Sequence, residues 1–313
     1  MYRIGIDVGG TGIQIGVIDE NLKVVAEGSI PTRTSIPFSE QIAQIASCVV
    51  STATSAGLKR EQIVSVGAGI PGIANLATGV VVKCPNMGWH HVPFREEFQK
   101  HLNVPVYIDN DANVAALAES VAGVSAGTSS SVFITIGTGI GSGIIINGKI
   151  WNGFHGIGGE FGHTVFKLNG IPCTCGNRGC LERYTSATAL IRMAREAIAR
   201  NTNTKMLAMV SNDITKVEAR TVIDAAREND PLAVEVYAQY IDYLAQMFAN
   251  IVNFVDPEVI VIGGGVSKAG DFLLDPIRRE YRKYVLYDDQ PLPEIKIAVL
   301  GSEAGIIGAA MLS

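Results

Sequence analysis

The chain has 313 residues, 47 % of them hydrophobic, and 34 glycines; about one residue in nine is glycine, against about 7 % in average proteins, which points to tight turns and not to disorder. Low-complexity, collagenous and coiled-coil readings fall away, and the length suggests about two domains around a sizeable core. A formal charge of -5 and a pI near 5.6 give no general attraction to nucleic acid.

In chain order, Met1 to Gly10 reads as a strand followed by a glycine turn, not as a secretory signal. Tyr2 to Val8, Gly12 to Asp19 and Lys23 to Ile30 read as three strands. Ile42, Ile45, Ala46, Val49, Val50 and Ala53 follow helical spacing, with Gly57 as a C-cap. Ile63 to Gly69 and Pro105 to Asp109 read as short apolar strands, and Asn113 to Ala122 as the helix after the second. Mixed strands and helices favour an α/β layer architecture. Val121 to Gly148 is long and uncharged, but its serines and glycines make it no spanning helix, so no membrane partner is expected.

The pattern then restarts. Ile6-Asp7-Val8-Gly9-Gly10-Thr11-Gly12-Ile13 is echoed by Ile134-Thr135-Ile136-Gly137-Thr138-Gly139-Ile140-Gly141, which suggests duplicated halves. The boundary is expected between Ala122 and Ser130. Val236 to Val252 carries a long helical pattern leading into the strand Val259 to Ile262 and then Gly263-Gly264-Gly265. The chain ends on a small-residue helix, Ala304 to Met311, expected to pack back on the first half. The domains are therefore expected at 1–122, with 301–313, and at 123–300.

Glycine turns after strands offer backbone N–H groups to phosphate oxygens, although each alone also reads as an ordinary hairpin turn. No Walker loop is present, and Gly137-Thr138-Gly139 lacks the dinucleotide fingerprint. Asp7, at a strand end beside Gly9-Gly10, suits either Mg²⁺ or local backbone bonds. Asp109-Asn110-Asp111 closes a strand and opens a helix; it is either an N-cap or a ligand-binding cluster, and spacing leaves the proton acceptor open. The sharpest pattern is His163 with Cys173, Cys175 and Cys180 in a glycine-rich loop. Three sulfurs and one imidazole make a closed tetrahedral zinc set. Glu160 and Glu182 bracket that loop. Five cysteines, an odd number, do not form a secreted disulfide framework, so the expected compartment is the reducing cytoplasm.

These residues resemble the ROK family of sugar kinases and sugar-responsive repressors, most closely its bacterial glucokinases, over essentially the whole chain. The resemblance is carried by Asp7-Val8-Gly9-Gly10-Thr11, Gly69-Ile70-Pro71-Gly72, Pro85-Asn86 with Trp89, Asp109-Asn110-Asp111, Gly137 to Gly141, Gly158 to His163, Cys173 to Glu182 and Gly263-Gly264-Gly265. It implies a two-lobed, actin-like and ribonuclease H-like α/β fold with a duplicated core, a small zinc loop, and ATP and sugar in the cleft between the lobes. It further implies Asp111 as general base, and Gly72, Asn110, Glu160, His163 and Glu182 around the sugar. Asp7, Gly9, Gly10, Thr11, Thr138, Gly139 and Gly264 fall on the nucleotide side, with Mg²⁺ and a structural zinc.

The expected activity is ATP-dependent phosphorylation of the 6-hydroxyl of a hexose, glucose first. The rivals are kinases of N-acetylmannosamine, fructose or allose, with polyphosphate as an open alternative donor. Relatives acting on N-acetylmannosamine tend to carry Gly-Arg where this chain has Gly72-Ile73. From a different class, a sugar-responsive repressor would need a DNA-binding segment ahead of the strand that starts at Tyr2. The resemblance also suggests a homodimer.

Overall fold

Tyr2–Val8 (β1) and Gly12–Ile18 (β2) are rich in Ile and Val, whose branched side chains suit a pleated surface. They pair antiparallel with Val8 opposite Ile13. Val24–Pro31 (β3) alternates half-buried and exposed residues, as an edge strand with one covered face does. Phe38–Ser55 (α1) buries Ile42, Ile45, Ala46, Val49 and Ala53, and Gly57 follows it at φ 74°. Then come Ile63–Ile70 (β4), Ile73–Asn75 (β5), Val80–Cys84 (β6), Trp89–Val92 (β7), Phe94–Gln99 (α2), Val106–Asn110 (β8) and Asp111–Val121 (α3).

The second pass opens with Ser130–Ile136 (β9), Ile140–Ile146 (β10) and Lys149–Ile150 (β11). Helices Glu182–Thr185 (α4), Ala187–Arg200 (α5), Lys205–Ala208 (α6), Ala219–Arg227 (α7) and Pro231–Val255 (α8) follow. Val259–Gly263 (β12), Asp271–Glu280 (α9), Glu294–Ile297 (β13) and Ala304–Ala310 (α10) complete the chain.

The computed structural model describes residues 1–287 and 289–312. One sheet runs β3-β2-β1-β4-β8 and a second runs β11-β10-β9-β12-β13. Each is a three-strand meander extended on its first strand's far side, so the echoed glycine-threonine turns mark a repeated topology. A small sheet, β5-β6-β7, stands apart.

Two units follow from the packing: 1–133, 143–159 and the segment from Val299, against 134–142 and 160–298. The division passes through β9 and β10, just beyond the 122–130 stretch that the sequence suggests. In the first unit the core gathers β1, β2, β4 and α1 around fully buried Ile4, Ile6, Ile13, Ile15, Ile42 and Ile45. Each such side chain contributes about 1.5–3 kcal/mol by leaving water.

Helix α10 lies so close on this sheet that a Cβ at Gly5 would fall 1.7 Å from the Ile306 carbonyl oxygen. One at Gly67 would fall 1.7 Å from that of Ala309, so both positions require glycine. Fully buried Glu119 of α3 fixes the segment leading into α10. Its Oε1 accepts from the Val299 and Leu300 amides at 2.9 and 3.0 Å, and its Oε2 from Val124 at 2.9 Å.

The second unit is built on α8, whose Tyr240 is fully buried and donates to the Thr185 carbonyl at 2.8 Å. Among the described residues no helix is long and apolar enough to cross a membrane.

Candidate functional site

In the first unit β1, β4 and β8 run parallel, with Asp7, Gly69 and Asp109 in register near their carboxyl ends. Open α/β sheets place ligands at those ends. Two strand spacings put the backbones of Asp7 and Asp109 about 10 Å apart. Burial alone holds the Asp7 carboxyl above the usual carboxylate range. A Cβ at Gly305 would fall 2.5 Å from Asp7 Cγ, so the bare backbone of the helix gives the carboxylate its room. An acid held up by burial alone is suited to a cation, which offsets the lost hydration.

The turn beyond β1 is closed by the Gly9 amide on the Gly12 carbonyl at 2.9 Å. Thr32 Oγ1 donates to the Gly9 carbonyl at 2.6 Å. Gly10 and Thr11 are exposed.

At the end of β8 three adjacent polar residues take three different roles. Asn110 is the N-cap of α3, accepting from the amides of Ala112 and Asn113, and its Nδ2 donates to the Gly72 carbonyl at 3.1 Å. Gly72 has no room for a side chain, because a Cβ there would meet the Lys83 carbonyl oxygen at 2.1 Å. Asp111 is exposed in the first turn of α3, where the helix dipole favours a carboxylate, and its Oδ1 accepts from the Ala112 amide at 3.0 Å.

Asp109 is 3 % exposed and faces inward. Its Oδ1 accepts from the Asn110 amide at 2.7 Å and Asn113 Nδ2 at 2.9 Å, and its Oδ2 from Asn152 Nδ2 at 2.9 Å. Burial raises its carboxyl above the usual range, and those bonds pull the other way. Sequence reasoning missed Asn113 and Asn152. Asn113 Nδ2 also donates to Asn152 Oδ1 at 2.7 Å, while its own Oδ1 is buried without a partner among the described residues. An orphan acceptor of that kind costs about 1–3 kcal/mol.

In the second unit the Gly137 amide donates to the Gly139 carbonyl at 3.0 Å, and Ala187 donates to the Gly137 carbonyl at 2.9 Å. Thr188 Oγ1 holds the Thr138 carbonyl at 2.7 Å. Glu182 Oε2 accepts from the Ile140 amide at 3.0 Å and lies 2.3 Å from where a Cβ on Gly139 would be. Gly264, at φ 85°, presses on Ile136 so closely that a Cβ would meet its carbonyl oxygen at 2.5 Å. Thr138, Gly139, Glu182 and Gly264 therefore share the ends of β9 and β12.

His163, Cys173, Cys175 and Cys180 converge with all four ligand atoms within 4.8 Å of one another. Cys175 and Cys180 sulfurs are 3.6 Å apart, and Cys173 Sγ lies 3.7 Å from His163 Nδ1. A tetrahedron with bonds of about 2.3 Å has edges of about 3.8 Å, so the set fits zinc. Burial and then the neighbouring sulfurs push the Cys180 thiol up to about 12, so a cation is what would release its proton. The loop is stiffened by bridges between Val165 and Cys180 and between Pro172 and Arg178. Exposed Glu160 precedes the short turn Phe161–His163, whose His163 amide donates to the Glu160 carbonyl at 3.1 Å.

Comparison with known proteins adds three findings. The family model described as "ROK family" matches residues 3–313. A glucokinase of Halalkalibacterium halodurans is 37 % identical over 99 % of this chain and 94 % of its own length, and one of Streptomyces coelicolor is 34 % identical over 99 % and 96 %. The crystal structure of a ROK family glucokinase from Streptomyces griseus, in complex with glucose and AMPPNP, superposes with a TM-score of 0.82 at 32 % identity, covering 99 % of this chain and 98 % of that one.

Proposed function

The chain belongs to the ROK family, and from that premise we propose that it transfers the γ-phosphoryl group of ATP to the 6-hydroxyl of glucose. Glucokinases match it over nearly the whole chain, and one of them was solved with glucose and AMPPNP bound. The observation that carries the reading is the division of labour at the end of β8. Asp109 is consumed by three donors, Asn110 is oriented by Gly72, and Asp111 remains at the exposed start of α3.

Asp111 accepts the 6-hydroxyl proton as the oxygen attacks phosphorus, since that hydroxyl is too weak an acid to ionise beforehand. Asn110, Glu160, His163 and Glu182, with Gly72, bind sugar hydroxyls. These are neutral, so paired carboxylate and amide bonds supply the specificity. The amides of Gly10 and Thr11, in the turn that the Gly9 amide closes, and those at Thr138, Gly139 and Gly264 bind nucleotide phosphates, where phosphoryl transfer needs positioning above all. Asp7 would hold Mg²⁺, which when bound neutralises charge on the phosphates.

Zinc held by His163, Cys173, Cys175 and Cys180 would be structural, because protein would fill all four positions. His163 would hold it through Nδ1, the ring nitrogen that faces Cys173 Sγ, leaving Nε2 for a sugar hydroxyl. Ile73, exposed beside Gly72 at the start of β5, offers no charge to an N-acetyl or acidic substituent, which favours an unsubstituted hexose. The setting is cytoplasmic, and the working form is a homodimer without nucleic-acid or membrane partners. The test is ADP release with Mg²⁺-ATP across glucose, mannose, fructose, allose, N-acetylglucosamine and N-acetylmannosamine. Glucose should give the highest kcat/KM, and a clear preference for N-acetylmannosamine would overturn the assignment.

A further inference from the structure

We propose that Asn152 is a positioning residue for phosphoryl transfer, holding the Asp109 carboxylate and tying the turn that presents Asn110 and Asp111 to the loop 152–158. This rests on the kinase reading and extends it to a residue outside the sugar and nucleotide contacts proposed above.

Three segments meet in one triangle of side chains. Asp109 ends β8, Asn113 lies in the first turn of α3, and Asn152 follows β11. Asn152 donates to Asp109 Oδ2 at 2.9 Å and accepts from Asn113 Nδ2 at 2.7 Å. Its carbonyl also accepts from the Gly158 amide at 2.8 Å, so the same residue closes its own loop. Between those ends Gly153 and Gly156 have φ of 66° and 75°, and Phe154 at the tip is 97 % exposed. The loop has little core to anchor it, and Asn152 links it to the catalytic turn.

The triangle is built for orientation more than for packing. Asn113 is 4 % exposed, yet its Oδ1 has no partner among the described residues; an apolar side chain would avoid that orphan. What Asn113 supplies is two donations from one nitrogen, which lock Asp109 and Asn152 in one geometry. Asp109 then holds the Asn110 amide at 2.7 Å, one residue before Asp111. Small misplacements of a reacting group lower rate far more than they lower binding.

The experiment compares wild type with Asn152→Ala and Asn152→Asp, the second keeping the size while removing the donor. Three quantities are read: kcat at saturating ATP, glucose affinity by calorimetry, and amide hydrogen exchange of segments 109–113 and 152–158. The expected result is a kcat lower by about 10- to 100-fold, glucose affinity within about threefold, and faster exchange in both segments. A purely structural loop residue would lower thermal stability and speed exchange in 152–158 alone. Unchanged kcat, or unchanged exchange in 109–113, overturns the proposal. Wild type that phosphorylates no hexose would instead overturn the kinase reading, and the exchange measurement would still decide whether Asn152 holds the turn.

Discussion

Asp109 and Asp111 are two positions apart and carry the same side chain, but burial and bonding give them opposite characters. Asp109 spends its oxygens on Asn110, Asn113 and Asn152, whereas Asp111 is exposed at the head of α3. Asp111→Asn should keep glucose affinity within about tenfold, roughly 1.4 kcal/mol, while kcat falls by about 10² or more. Turnover that survives in Asp111→Asn yet vanishes in Asp109→Asn, with binding and fold intact, would assign the base to the other carboxylate. Asp7 offers a test of opposite sign. Its folded pKa is raised by burial, so the penalty for ionising it is full above that pKa, fades as pH falls from there toward the unfolded value of about 3.9, and is gone below it. Asp7→Asn should therefore raise Tm at pH 8 without metal or nucleotide, lose that gain toward pH 4, and abolish activity. A Tm that falls at pH 8 would contradict the account of Asp7. The sequence alone left both aspartates ambiguous, because a strand-to-helix turn reads alike whether it caps or catalyses. Asn113 and Asn152 were invisible to it, since the contact that joins them spans 39 residues.

Among the elements, the zinc loop was the most legible and the most exposed to test. Its four ligands lie within 18 residues of sequence, and a set of three thiols and an imidazole has few other uses. Cys175→Ser should lose zinc by elemental analysis and lower both Tm and kcat, because Glu182 follows Cys180 by two residues and Glu160 precedes His163 by three. Full activity in protein verified to be metal-free would contradict a structural zinc. Strands β1, β2, β4 and β12 were legible because their apolar runs border glycine turns. The small sheet of β5, β6 and β7 was not, since Ile73–Asn75 is only three residues long and its partners carry Lys83, His90 and His91. Such strands are fixed by pairing, with Lys83 opposite Ile73 and His90, rather than by their own pattern. Helix α10 shows the reverse case: its small residues suggested a helix packed back on the first half, but only the folded chain shows that Gly5 and Gly67 receive its carbonyls. Glu119 belongs with it. Glu119→Ala would remove the acceptor of the Val124, Val299 and Leu300 amides, and any of them left buried without a partner would cost about 1–3 kcal/mol. A clearly lower Tm and faster proteolysis near residue 299 are expected, and an unchanged Tm would show that the clamp is not needed.

For the whole molecule, the repeated sheet order links the two glycine-threonine turns seen in the sequence to one topological position, the end of the first strand of each meander. Family membership rests on a match from residue 3 to residue 313, and glucose as the acceptor rests on the named relatives together with Ile73 beside Gly72. Those two supports differ in reach, because membership of a family does not by itself fix which hexose is the acceptor. The acceptor and the position of transfer are therefore what most need measuring. Purified protein incubated with glucose, ATP and Mg²⁺ should form glucose 6-phosphate, read by phosphorus coupling to the C6 protons in the NMR spectrum, and Asp111→Asn should form it about 10²-fold more slowly. Transfer to another hydroxyl, or no transfer to glucose under conditions where another sugar is phosphorylated, would contradict the account.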